Sequence, residues 1–232
     1  MGEAKKIMNL GNTNKPLRKR ACKICGEDCR IWGSFNLKSH ETLFDDISSH
    51  VDSKILIDST KDLNWIETSK EHAIKSGFEV VLVFLKRDGR AVVNSRIRKY
   101  PERDPEQIIS NWIEKIQSTT SYFDKFSGLK MKVEYEKLSE SPENTLQNIC
   151  ETLNLKFAAE ALDLTKHEHH PFGGNNGTQY LLSSGGIKLN ERVKSYYENL
   201  SGVIEPDERW KKELSEFHLN MFKDMTRTLL EN

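Results

Sequence analysis

The sequence predicts an α/β protein: a doubly wound, mainly parallel sheet flanked by helices. Residues 78–85 form an almost unbroken apolar run, Phe-Glu-Val-Val-Leu-Val-Phe-Leu, of the kind that fills a strand covered on both faces. Leu129, Met131, Val133 and Tyr135 alternate with Lys130, Lys132 and Glu134, the period of a strand with one wet face. Helical signals fall between and around these runs. The resulting order, β-α-β-α-α-β-α, is the alternation that builds a sheet with crossover helices.

Residues 1–20 have no hydrophobic period and read as a flexible lead-in to a single domain over 21–232. Residues 41–50 suit a short helix with Leu43, Phe44 and Ile47 on one face. Residues 54–58, Lys-Ile-Leu-Ile-Asp, are short and aliphatic between polar flanks and predict a buried strand. Residues 64–76 are helical in pattern, and Gly77 is placed to end them. After the 78–85 strand, residues 91–99 form the next helical stretch. Asp104-Pro105-Glu106 combines an N-cap carboxylate with proline at the first helical position. Ile108, Ile109, Trp112, Ile113, Ile116 and Phe123 mark the buried stripe that follows. Ser141-Pro142-Glu143 opens another helix through Leu146, Ile149, Cys150 and Leu153. Residues 165–190, rich in Gly, His and Asn, read as a loop, and a last helix is expected from Pro206 through Trp210, Leu214, Phe217, Met221 and Leu229.

Composition narrows the function classes. The 35 basic and 35 acidic residues cancel, so no global field draws the chain to nucleic acid or a membrane surface. Mean hydropathy is −0.65, and no apolar stretch approaches the ~20 residues that span a bilayer. The basic N-terminus lacks an apolar core of its own, so it is not read as a secretory signal. Four cysteines in 232 residues are too few for a disulfide scaffold. A reduced, cytoplasmic protein is the expectation.

The chemistry concentrates after the 78–85 strand. In an open parallel sheet, ligands sit at the carboxyl ends of strands against a following helix N-terminus. Lys86-Arg87-Asp88-Gly89-Arg90 is such a turn, and Arg87 offers a planar fork for phosphate. Ser95 lies eight residues on, slightly over two helical turns away, where its hydroxyl can meet the same anion. An isolated Arg–Ser pair is an ordinary helix-start charge and a solvated serine; here the pair follows a strand in the right order.

Arg87-Asp88-Gly89-Arg90-Ala91-Val92-Val93-Asn94-Ser95 resembles the 3′-phosphate-binding segment of the PAPS-dependent sulfotransferases. Ile57-Asp58-Ser59-Thr60-Lys61 is similar to the Val-Asp-Ser-Ser-Lys strand end of bacterial members. Val133-Glu134-Tyr135-Glu136-Lys137-Leu138 with Pro142 resembles their Val-x-Tyr-Glu-Asp-Leu…Pro segment. The run from Cys22 to Trp32, then His170-Pro171-Phe172-Gly173-Gly174-Asn175 and Glu208-Arg209-Trp210, are similar to further family elements. The likeness covers roughly residues 20–225 in consistent order.

The resemblance implies a P-loop-like sulfotransferase fold that moves a sulfuryl group from PAPS to an acceptor hydroxyl or amine, leaving adenosine 3′,5′-bisphosphate. It implies that Arg87 and Ser95 grip the 3′-phosphate, with Gly174 and Asn175 as further nucleotide contacts, and that Lys61 sits toward the transferring group. Asp58 and Glu3 are candidate bases. A small-molecule or glycan-type acceptor is implied, with no nucleic acid and no membrane span. One departure stands out. The family's Arg-Ser-Gly-Thr-Thr loop, which cradles the 5′-phosphosulfate, has no counterpart, and neither does Gly-x-x-x-x-Gly-Lys-Ser/Thr. On this reading the chain begins about one strand–helix unit late, activity of the chain alone is expected to be poor, and an exposed sheet edge favours self-association. The Arg that often follows Gly-Asn in the family is also absent after Asn175.

Rival readings are a non-catalytic relative that binds nucleotide or a partner protein, a small-molecule kinase, and a zinc-stapled interaction module. The last rests on Cys22, Cys25 and Cys29, whose gaps suit a tetrahedral ion. No fourth ligand is evident beyond His40, the nearest candidate, so packed thiols and no metal are expected. His167, His169 and His170 read as solvated loop residues.

Overall fold

The computed structural model describes residues 22–35, 39, 41–163, 166–171, 179–180, 182 and 206–230. The lead-in 1–20, His40, Gly174, Asn175 and most of the 165–190 segment lie outside the described residues. The chain gathers into two compact units, Met1–Val80 with Asp163–Val203 and Val81–Leu162 with Ile204–Asn232.

The second unit is built on two parallel strands, β1 (Leu82–Lys86) and β2 (Lys130–Glu134), paired from Leu82↔Lys130 to Lys86↔Glu134. Parallel strands require a long crossover. Here it is α3 (Gly89–Lys99) and α4 (Pro105–Lys125), numbered after two helices of the first unit. Asp88 and Asp104 cap α3 and α4, each accepting a backbone N–H two residues on. After β2 come α5 (Tyr135–Glu140) and α6 (Pro142–Thr152).

The apolar stripe expected on α4 forms the core. Val93, Ile108, Ile109 and Phe222 are buried together, with Trp112, Ile97, Ile113 and Met225 packed against them. Phe222 belongs to the C-terminal segment, which is not the one long helix expected. It divides into α7 (Trp210–Glu213) and α8 (Glu216–Leu230). Leu214 turns to extended backbone between them and is buried, and Ser215 Oγ accepts from His218 N at 3.3 Å. A serine cap and a buried leucine thus outcompete helix continuation.

The sheet differs from expectation on both strands. Phe84 is buried near Phe123 of α4, with ring centroids 5.7 Å apart. Val83 and Leu85, on the opposite face, are 46% and 52% exposed, so β1 is not covered on both sides. On β2 the lysine face is not simply wet. Lys130 Nζ donates to the Phe123 and Asp124 carbonyls at 2.8 Å each, capping the end of α4 while the ammonium lies 5.2 Å over the Phe123 ring.

The first unit contains α1 (Leu43–Val51) and α2 (Leu63–Lys75). Asp62 caps α2 by accepting from Trp65 N at 3.0 Å. Gly77, at φ +82°, ends α2 as the sequence predicts, with Phe78 N donating to Ala73 O at 2.9 Å. The strand expected at residues 54–58 does not form. Ser53 Oγ bonds both the N–H and the carbonyl of Ile55, and Ile57 is 91% exposed. Local side-chain bonds have taken the backbone groups a ladder would need.

Candidate nucleotide site and a cysteine–histidine cluster

The second unit positions Arg87 at the carboxyl end of β1, where the chain turns into α3. Its guanidinium lies over the Tyr135 ring, 4.4 Å from the centroid, and Nη2 donates to Asp207 Oδ2 at 3.0 Å. Arg87 Nε is buried and makes no hydrogen bond among the described residues. Guanidinium offers five N–H donors, so one bond to Asp207 leaves most of the fork unused.

Three chain segments meet at this turn. Asp88 N donates to Glu136 Oε1 at 2.9 Å, bringing in the start of α5. Beyond the single bond from Arg87, Asp207 accepts a pair from Arg209, Nε and Nη2 each at 2.6 Å. Arg90 pairs with Asp88 at 2.6 Å, and its guanidinium stacks 4.0 Å over Trp210. Stacking and forked pairing hold arginines in place far better than lysines could be held.

The electrostatics follow from this crowding. Burial acts to raise the Asp207 carboxyl, but the Arg209 and Arg87 bonds outweigh it and hold the group well below the usual carboxylate range. Burial likewise acts to raise the Asp88 carboxyl, but its bonds to Arg90 overcome this and leave the group lower than ordinary. Desolvation pushes the Tyr135 phenol up against the pull of Arg87. Arg87, Arg90 and Arg209 are thus balanced by Asp88, Asp207 and Glu136. An incoming anion would be held by unused, oriented donors rather than by surplus positive charge.

Ser95 sits half-buried on α3. Asp58, in the first unit, is exposed and accepts one bond at each oxygen. Its Oδ1 accepts from Thr60 N at 2.8 Å and its Oδ2 from Trp65 Nε1 at 2.6 Å. Those bonds fix the turn into α2. Lys61 is exposed beside it. Gly174 and Asn175 lie outside the described residues. Sequence reasoning quoted Tyr135, Glu136 and Arg209 only as pieces of motifs and missed Asp207; the acid–base alternation Asp207-Glu208-Arg209 was its one available signal.

Cys22, Cys25 and Cys29 converge in the first unit, and the fourth member of the group is His170. His40, the candidate nearest in sequence, lies outside the described residues. Burial, then Arg30 and His169, lowers the His170 pKa.

No protein-family model matches the chain. A Caenorhabditis briggsae protein described as a "Putative protein-tyrosine sulfotransferase" is 27% identical over 138 residues, 56% of this chain. That match spans 46% of the relative's own length, less than half of it. Two solved structures share the fold. One is the sulfotransferase domain from the curacin biosynthetic pathway, with TM-score 0.50 and 16% identity over 82% of this chain and 67% of that one. The other, from the Synechococcus PCC 7002 olefin synthase, has TM-score 0.50 and 16% identity over 80% of this chain and 63% of that one. The chain has the α/β sulfotransferase fold. No described helix is long and apolar enough to cross a membrane.

Proposed function

We propose that the chain binds a nucleotide bearing a 3′-phosphate, PAPS or its product adenosine 3′,5′-bisphosphate, and serves sulfuryl transfer to an acceptor hydroxyl or amine. The observation that carries this reading is Arg87. It leaves the carboxyl end of a parallel strand, is locked by Tyr135 and Asp207, and keeps a buried Nε without a partner among the described residues. A preset fork with idle donors suits a phosphate, and the N-terminus of α3 adds a favourable dipole.

In this reading Arg87 and the Ser95 hydroxyl hold the 3′-phosphate, and Gly174 and Asn175 contribute further nucleotide contacts. Lys61 neutralises charge near the transferring group. The acceptor oxygen or nitrogen attacks sulfur in line, the sulfur–oxygen bond to the 5′-phosphate breaks, and the acceptor proton passes to a base. Asp58 is better suited to fixing its turn than to taking that proton, because both its oxygens already accept. A small-molecule or glycan acceptor is favoured, and the relative's name adds tyrosine hydroxyl to the classes worth testing. Thiol-state cysteines fit a reducing, cytoplasmic setting.

Calorimetry with adenosine 3′,5′-bisphosphate and with AMP tests the binding half. The bisphosphate should bind at least tenfold more tightly. Equal affinities, or none, would remove the 3′-phosphate reading. Radiolabelled PAPS with hydroxyl, amine and tyrosine-peptide acceptors then tests transfer.

A further inference from the structure

The first unit brings three cysteines and one histidine to a single point. The ligand atoms of Cys22, Cys25, Cys29 and His170 all lie within 4.8 Å of one another. His170 Nδ1 is 3.3 Å from Cys25 Sγ and 3.3 Å from Cys29 Sγ. In a tetrahedral zinc site, bonds of about 2.3 Å to sulfur and 2.0–2.1 Å to nitrogen put ligand atoms about 3.6–3.8 Å apart. The two 3.3 Å spacings need shifts of a few tenths of an ångström, and the 4.8 Å limit on the set allows none of more than about 1 Å.

We propose that Cys22, Cys25, Cys29 and His170 form a structural zinc site. The backbone around them is built to aim the sulfurs. Gly26 takes φ +72°, and its N–H donates to Cys22 O at 3.0 Å. That turn folds Cys25 back so that its own N–H donates to Cys22 Sγ at 3.4 Å. Trp32 N donates to Cys29 Sγ at 3.4 Å, and Gly33 approaches so closely that an added Cβ would lie 2.6 Å from Cys29 O.

The histidine is held equally well. Its carbonyl accepts from Trp32 Nε1 at 2.8 Å, and the next residue's carbonyl, Pro171 O, accepts from Lys23 N at 2.7 Å. With Nδ1 facing the sulfurs, the buried Nε2 makes no hydrogen bond among the described residues; the Glu168 carboxylate lies 3.5 Å from it, close enough to become its acceptor, and is itself paired with Arg30. A carboxylate behind a ligating imidazole fixes its tautomer and orientation and raises its basicity. Four protein ligands fill a tetrahedral shell, so the site is closed and structural, with no position for substrate or activated water. Three thiolates with one imidazole select zinc over the oxygen-loving divalent cations.

The test uses the full chain, untagged, expressed in zinc-supplemented medium and purified under reducing conditions without chelator. One zinc per chain by elemental analysis is expected, released on titration with a thiol-specific mercurial. The cobalt-substituted protein should show intense tetrahedral d–d bands and sulfur-to-cobalt charge transfer. Glu168→Ala should weaken metal affinity about 10–100-fold, and His170→Ala should weaken it at least as much. His170→Cys should retain one metal with stronger charge transfer, which keeps the proposal testable should the alanine variant fold poorly. His167→Ala and His169→Ala should leave metal content unchanged. A folded chain with no stoichiometric zinc, octahedral cobalt spectra, a disulfide among the three cysteines, or full metal retention in His170→Ala would overturn the proposal.

Discussion

Gly89→Ala is expected to destabilise the second unit by about 1–2 kcal/mol, although alanine is the better helix former. Gly89 opens α3 directly under Trp112. A Cβ there would lie 2.4 Å and 2.5 Å from two atoms of the Trp112 indole and 2.7 Å from Phe222 Cζ. Neither ring can retreat alone, because the two pack at a centroid separation of 5.2 Å on different helices, α4 and α8. Overpacking of this kind costs about 1–3 kcal/mol, against a helix-propensity gain of at most about 1 kcal/mol. For a chain of this size the net loss lowers Tm by roughly 2–8 °C. Urea and thermal unfolding measure it. Gly77→Ala is the contrast: nothing lies within 4 Å of its added Cβ, so only the left-handed φ of +82° is penalised, by about 1–2 kcal/mol. In a Trp112→Leu background the Gly89→Ala cost should shrink. If Gly89→Ala is neutral, or costs as much without the indole, the close approach does not explain this glycine.

Arg87→Ala should weaken adenosine 3′,5′-bisphosphate binding by about 1.5–3 kcal/mol, roughly 10–150-fold, and Arg87→Lys should restore only part, since an ammonium lacks the fork; unchanged calorimetric affinity would place the phosphate elsewhere. The depressed Asp207 carboxyl contributes stability that is fully present above its unfolded value near pH 3.9 and is lost as pH falls toward its lower folded value. The stability gap between the parent and Asp207→Asn should therefore close on acidification below about pH 4, and a gap constant with pH in urea titrations would remove the linkage.

Local signals in this sequence were read correctly where they carry a complete physical instruction. Asp104-Pro105 supplies both a cap acceptor and a pre-set φ, and α4 starts there. Gly77 supplies the one residue type that takes a left-handed helix end without strain, and α2 stops there. Residues 54–58 carried an incomplete instruction. Aliphatic content makes a strand possible, but only a partner edge makes it real, and Ser53 reached Ile55 first. Tyr135 was read as the last strand residue; it opens α5 instead, where Ser139 Oγ bonds back to the Tyr135 and Glu136 carbonyls.

The partners that were not legible are polar and distant. Arg87 meets Asp207 across 120 residues, and Cys29 meets His170 across 141. Closing loops of that length costs about 4 kcal/mol each in chain entropy. A hydrogen bond to a charged group is worth about 1.5–3 kcal/mol, less than that closure cost, so the Arg87–Asp207 bond, with side chains 25% and 13% exposed, does not by itself bring its segments together. It follows from the packing of α8 on α3 and α4, which buries Phe222 with Val93, Ile108 and Ile109. That makes Arg87 orientation a by-product of the core, and core mutations such as those at Phe222 should loosen nucleotide binding without touching the site. At the second join the ties among the described residues include Lys23 to Pro171, Trp32 to His170 and the exposed Arg30–Glu168 pair. At about 1 kcal/mol apiece, these three fall short of the closure cost. The proposed structural zinc would add about 10–16 kcal/mol of folding free energy at that point.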